Sequence, residues 1–267
     1  MRKPTRRKTV RAIFPNAGIR MAYQRRLKAA IREMADSVEY WAVVDRRKNT
    51  PRLAEDATPS EKAMKGLNKL SKQWQAYFDQ MARTVAERFV KSQYKATDLA
   101  FRQALRDAGW SIQLEMTPTV RDAFEASVAE NVGLIRSIPQ QYFTEVQGIV
   151  MRNYTSGLDV KTMVKEIKGR YGVTSRRAVL IARDQTSKAH STIQRVRQLE
   201  IGITEAIWMH SRAGKEPRRS HVAMDGKVYK LDKGLWDKDA KKWIFPGELI
   251  NCRCQSETVL PLVPFVG

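Results

Sequence analysis

A chain of 267 residues with 42% hydrophobic residues can bury a substantial core, as one large domain or two modest ones, which argues against global disorder. Forty-nine Lys and Arg against 28 Asp and Glu leave a net charge of +21, a surplus that repels itself in a compact fold and points to a polyanion or an acidic partner. Only Cys252 and Cys254 occur, one residue apart, which argues against a disulfide-built secreted scaffold; no apolar run approaches the ~20 residues that cross a bilayer, and the basic N-terminus lacks a signal peptide's apolar stretch.

The first eleven residues contain Arg2, Lys3, Arg6, Arg7, Lys8 and Arg11 and no acid, which predicts a mobile basic arm over residues 1–18 and makes these six candidate contacts to phosphate or a partner. From Ile19 to about Arg47 the three- and four-residue steps of Leu27, Ile31, Met34, Val38 and Trp41 predict a helix. Asn49-Thr50-Pro51 and Thr58-Pro59-Ser60 interrupt it, with Thr58 or Ser60 placed to cap the next element. That element carries Met64, Leu67, Leu70, Trp74, Tyr77, Met81, Val85 and Phe89 on one stripe, with Lys62, Lys65, Lys69, Lys72 and Arg83 largely away from it. An amphipathic helix with one buried face follows.

Thr117-Pro118 opens a helix with Val120, Phe124, Val128, Val132 and Ile135 on one face, and Pro139 is expected to end it. Tyr142, Val146, Ile149 and Val150 predict a further helix stopped by Gly157. A short helix through Val160, Met163, Val164 and Ile167 is expected to close at Gly169 and Gly172, and Ser175 to start a long one through Ile181, Thr186, Ala189, Ile193 and Val196 to Gly202. Beyond Gly202 the texture changes. Ala206–Met209, Lys227–Tyr229, Trp243–Phe245 and Thr258–Leu260 are short, aromatic or β-branched, and separated by turn residues, which predicts short antiparallel strands. The expected class is α+β, mostly α, with a helical body over 19–155 and a small α+β domain over 156–267.

The most informative residues lie between Ala182 and Cys254. In order they are Ala182-Arg183 on the last long helix, Trp208 on a strand, Arg218 with His221, the Asp225-Gly226 turn, and Cys252-Arg253-Cys254. This ordered set resembles the phage Mu F-like minor head protein family, also called the phage head-morphogenesis domain. The resemblance covers roughly the last hundred residues. Where members often carry an acidic residue shortly after the Trp strand, this chain has Ala213-Gly214-Lys215.

The resemblance implies a non-enzymatic minor head protein of a tailed bacteriophage, in the virion interior and in the host cytoplasm during assembly. Its implied partners are the portal protein, capsid or scaffold proteins, and DNA through phosphates, with no membrane. The chain's end at Gly267 gives the expectation of a plain structural form without a C-terminal toxin. Arg218 and Arg219, on a turn-rich loop, join the basic arm as candidate nucleic-acid or partner contacts.

His221, Cys252 and Cys254 are candidate zinc ligands, because thiolates and imidazole suit Zn²⁺, with His210 or Asp225 as a candidate fourth. The Cys-x-Cys gap is tighter than the usual two residues, so the favoured reading has no cofactor. In it His221 hydrogen-bonds across the small domain and the cysteines pack beside it. The alternative function is a metal-dependent DNA-processing nuclease built on His221, Asn251 and the cysteines. Only three histidines occur and none follows Asn251, which weighs against it. No catalytic residue is identified: neither a nucleophile elbow nor a phosphate-cradling Gly-rich loop is present.

Overall fold

The computed structural model describes residues 8–48, 58–156, 160–212 and 216–261. Four long helices are followed by a small α+β region, the class expected: α1 Ala17–Lys48, α2 Pro59–Asp107, α3 Pro118–Ser156 and α4 Val160–Glu200. After them come β2 Glu205–Met209, α5 Arg219–Met224, β3 Val228–Lys230, β4 Leu235–Asp237, β5 Lys242–Ile244 and β6 Gln255–Val259, while β1 Thr9–Val10 precedes α1.

Local sequence sets the helix ends. Asn16 caps α1 by accepting the Ile19 N–H at 3.1 Å. At α2, Thr58 Oγ1 accepts the Glu61 N–H at 3.3 Å while the Glu61 carboxylate accepts the Thr58 N–H at 2.9 Å, a reciprocal capping box with Pro59 inside it. Thr117 caps α3 through the Val120 N–H at 3.3 Å. Both α2 and α4 close on a left-handed glycine, Gly109 (φ 87°) and Gly202 (φ 74°). The paired bonds Gly109 N–H to Arg106 O and Trp110 N–H to Leu105 O, repeated as Gly202 to Leu199 and Ile203 to Gln198, tie off the last turns.

Two expected breaks do not occur. Pro139 lies inside α3, where buried Ile135, Ile138, Tyr142, Phe143 and Val146 carry one face across it; burial on both sides outweighs the ~3 kcal/mol that an interior proline costs. Gly169 and Gly172 lie inside α4. Neither takes the positive φ that ends a helix, so each costs only about 1 kcal/mol as an interior residue.

The chain forms two compact units. One comprises Met21–Glu87 and Ala129–Ala182 and is helical, with Leu27, Ile31, Met34, Leu67, Phe78, Ile135, Tyr142 and Phe143 fully buried. There Trp74 Nε1 donates to Ser37 Oγ at 2.7 Å and Tyr23 OH to Asn131 Oδ1 at 3.0 Å.

The other unit comprises Met1–Arg20, Arg88–Val128 and Arg183–Gly267. Its antiparallel sheet runs β1-β6-β2-β3, with Thr9 opposite Val259, Trp208 opposite Ser256 and Ala206 opposite Tyr229. Strands β4 and β5 form a separate hairpin with Trp236 opposite Trp243. The core gathers Val10, Ile13, Phe101, Leu105, Trp208, Tyr229, Leu231 and Ile244 around the two cysteines. The end of the segment expected to be a mobile arm therefore belongs to the fold: Val10 and Ile13 are buried and Thr9–Val10 pair with β6. Arg2, Lys3, Arg6 and Arg7 lie outside the described residues.

His190 ties this N-terminal strand segment to α2. Its Nδ1 shares a hydrogen bond with Thr97 Oγ1 at 3.0 Å and its Nε2 lies 3.2 Å from Ile13 O. Burial holds its pKa down to about 4, with the Ile13 carbonyl opposing the shift. Because the folded value lies below the ordinary 6.5, the unfolded chain takes the proton first as pH falls. The contribution of neutral His190 is thus complete above about pH 6.5 and lost towards pH 4, roughly 3 kcal/mol in all. Urea denaturation across this window should show a steeper loss in the wild type than in His190→Gln; equal slopes would place the acid sensitivity elsewhere.

Candidate functional site

Strand β2 alternates, with Ala206 and Trp208 buried and Glu205, Ile207 and Met209 only partly so. The Trp208 ring meets His221 edge-on at 5.4 Å and Tyr229 at 6.2 Å. His221 sits on the single-turn helix α5, which buries only His221 and Met224. Trp208 is thus the apolar wall against which the imidazole is held.

Both imidazole nitrogens are engaged. Nε2 lies 3.2 Å from Asp237 Oδ2, and both side chains are buried. Asp237 closes β4, and its Oδ1 also accepts the N–H groups of Asp239 at 2.8 Å and Ala240 at 3.2 Å. Burial pushes its pKa up, but these backbone donors, Ser220 and His221 outweigh it and hold the carboxyl below the ordinary range. An ionised carboxylate there takes the Nε2 N–H, which leaves Nδ1 as the nitrogen turned to the cysteines. Facing Nδ1 are Cys252 Sγ at 3.4 Å and Cys254 Sγ at 3.6 Å.

The cysteines reach this point through a turn. Asn251 takes a left-handed conformation (φ 60°) and Cys252 N–H bonds back to Leu249 O at 2.8 Å. Gly247 (φ 80°) donates its N–H to Cys252 Sγ at 3.3 Å, and a Cβ there would meet Ser191 Cβ at 3.1 Å and Ser187 O at 3.2 Å. Helix α4 holds the turn: Asp184 Oδ1 accepts Asn251 N–H at 2.9 Å, and Ser191 Oγ donates to Pro246 O. The neighbouring Cys254 lowers the Cys252 thiol, burial opposing it and His221 adding to it; the same sharing, with burial, raises Cys254. The three ligating atoms lie within 4.8 Å of one another, and among the described residues this set could hold a metal ion.

The remaining motif residues do not join this cluster. Ala182 is buried on α4. Arg183 is half-buried and its pKa is lowered, first by burial and then by the like charges of Arg253 and Arg20. Arg218 donates to Ile250 O at 2.8 Å, bracing the cysteine turn. Asp225 accepts His210 N–H at 2.8 Å and the Arg212 guanidinium at 3.4 Å, so neither it nor His210 supplies a fourth ligand. Gly226 (φ 76°) donates to Trp208 O at 2.8 Å. Among the basic candidates, Arg11 pairs with Asp107 at 3.3 Å, and Lys8 and Arg219 are exposed. Ala213-Gly214-Lys215 lie outside the described residues.

Asp237 is the residue that sequence reading missed. Its local sign was the Asp-x-Asp-Ala stretch that ends β4, a pattern suited to an Asp bonding N–H groups two and three residues on. The partner of its second oxygen is sixteen residues away and leaves no local trace.

Residues 144–257 match the family described as Phage Mu protein F like protein. The chain is also 34% identical over 150 residues to an uncharacterized protein of Haemophilus influenzae, an alignment spanning 56% of this chain and 32% of that protein. The chain thus spans about a third of the length of that relative. No solved structure matches the chain.

Two glycines of the site separate conformational from steric strain. A Cβ on Gly234 (φ 83°) would meet Ile244 O at 2.4 Å, whereas one on Gly226 (φ 76°) would meet nothing within 4 Å. Gly226→Ala should cost about 1–2 kcal/mol from the left-handed backbone alone. Gly234→Ala should cost roughly 3 kcal/mol or more, because the hairpin carrying Asp237 must also open. Chemical denaturation followed by tryptophan fluorescence checks the order; equal losses would show that the hairpin yields freely.

Proposed function

We propose that the chain acts as a non-enzymatic minor head protein of a tailed bacteriophage, located in the virion interior and in the host cytoplasm during assembly. The observation that carries this reading is the Phage Mu protein F like match over 144–257, which spans the Trp208–His221–cysteine cluster. In this reading the portal protein and capsid or scaffold proteins are its partners, and DNA is held through phosphates without sequence preference.

The charge supports the last point. A net +21 is large for 267 residues, and Arg183 lies close enough to Arg253 and Arg20 for their like charges to lower its pKa. An anion placed between such guanidinium groups relieves their repulsion and takes directed hydrogen bonds from them. Within the candidate site, the chemistry is internal: His221, Asp237, Cys252 and Cys254 bind each other and hold the turn that presents Arg253.

Quantitative mass spectrometry of purified phage particles should find a few to a few tens of copies per particle in DNA-filled heads. Absence from both procapsids and mature particles would overturn the proposal. For the DNA contact, affinity for duplex DNA should fall by roughly 10³ or more between 50 and 200 mM salt if about six phosphates are neutralised. Arg183→Ala and Arg253→Ala should each reduce that salt slope by about one; a shallow wild-type slope would point to an acidic protein partner instead.

A further inference from the structure

We infer that His221 Nδ1, Cys252 Sγ and Cys254 Sγ bind a zinc ion, with Asp237 as the carboxylate that orients the imidazole. The inference stands apart from the phage assignment, since its measurements concern the isolated chain.

Three geometric observations carry it. First, zinc holds sulfur at about 2.3 Å and imidazole nitrogen at about 2.0 Å, so the N···S edge of its tetrahedron is about 3.5 Å long and the S···S edge about 3.8 Å. The observed N···S separations are 3.4 and 3.6 Å, and all three donor atoms fall within 4.8 Å. Two edges of one tetrahedral face thus already have zinc-like lengths, and the third is no longer than 4.8 Å.

Second, the Nδ1 lone pair can accept one S–H, yet two sulfurs face it. Cys252 Sγ is itself an acceptor, taking the Gly247 N–H at 3.3 Å. Hydrogen bonding within the cluster therefore leaves one sulfur facing Nδ1 without a proton to share with it. A divalent ion on the shared face uses the nitrogen lone pair and both sulfurs together.

Third, a ligating histidine ordinarily donates its other N–H to a carboxylate, which fixes the tautomer and raises the basicity of the ligand. Asp237 does this from a position pinned by the N–H groups of Asp239 and Ala240. The tight Cys-x-Cys spacing also has its place: the turn through left-handed Asn251 sets both sulfurs 3.4 and 3.6 Å from Nδ1. Among the described residues no fourth His, Cys, Asp or Glu joins the set, so the fourth position falls to a non-protein donor. The ion would tie α5, the 246–252 turn and the start of β6 together, with β4 joined through Asp237.

The test uses the full chain without a histidine tag. Elemental analysis after extensive dialysis should find about one zinc per chain, lost in Cys252→Ser and in Cys254→Ser. Asp237→Asn should keep the metal with roughly 10–100-fold weaker affinity, read by competition with a chromogenic chelator. Because the serine variants can fail to fold, the deciding spectrum is that of the wild type loaded with Co²⁺ in place of zinc. Thiolate-to-cobalt charge-transfer bands with intense tetrahedral visible bands are expected. Three outcomes would overturn the inference: no retained metal, a bound metal without thiolate bands, or a mass two hydrogens short that marks a Cys252–Cys254 disulfide.

Discussion

The C-terminal half of α4 buries polar side chains, and in the unit that contains the sheet several of them bond to partners away from their own helix. Asp184, Ser191, Gln194 and Gln198 fall at helical spacing along one stripe. They bond in turn to Asn251 N–H, Pro246 O, Ser256 O and Thr258 Oγ1, so that a single helix face places the cysteine turn and then β6. On the adjoining stripe His190 takes Thr97 and Ile13, and Arg197 takes Asp98 at 2.8–3.0 Å, Glu200 at 2.8 Å and the Tyr94 hydroxyl. One such bond is worth only about 1 kcal/mol net, but a buried polar group left without one costs 1–3 kcal/mol. The row therefore acts by excluding other registers more than by adding stability: slide β6 by one residue and Gln194 and Gln198 lose their partners together.

That dependence explains what could be read in advance and what could not. Local signals were legible where physics is local. Thr58-Pro59, Thr117-Pro118 and Gly202 end their helices as their residue types require, and the alternation around Trp208 and Tyr229 forms strands. Pro139, Gly169 and Gly172 misled because their penalties are small beside the burial that flanks them. Strand β1 escaped notice because a two-residue strand has no periodicity, and its hydrophobic residues were hidden within a basic segment. The buried polar face of α4 was illegible for a deeper reason: Ser, Gln, His and Arg in a helix look solvated until the rest of the fold supplies partners.

The site divides in the same way. His221, Cys252 and Cys254 stood out by residue type, and the fold brings them together. Their tight spacing counted against a shared ligand only while the backbone conformation was unknown. Asn251 in the left-handed region and Gly247 against α4 create the turn that aims both sulfurs inward. Asp237 completes the set from a separate hairpin, and that hairpin closes only because Gly234 lets Ile244 O approach where a Cβ would stand. Conformation at three turn residues thus decides the chemistry of four side chains.

Charge is handled in two opposite ways within this unit. Arg197, 1% exposed, is matched by the carboxylates of Asp98 and Glu200 and lies over the Tyr94 ring, so it is spent on structure. Arg183 instead has its pKa lowered, first by burial and then by the like charges of Arg253 and Arg20. The exposed ion pairs, such as Arg11–Asp107 and Lys242–Glu248, are of the kind that contribute at most about 1 kcal/mol and are screened by salt. Folding therefore neutralises Arg197 within the core and leaves Arg183 under the like charges of Arg253 and Arg20. A cationic group kept in that state raises the energy of the isolated chain and lowers that of a complex with an anion.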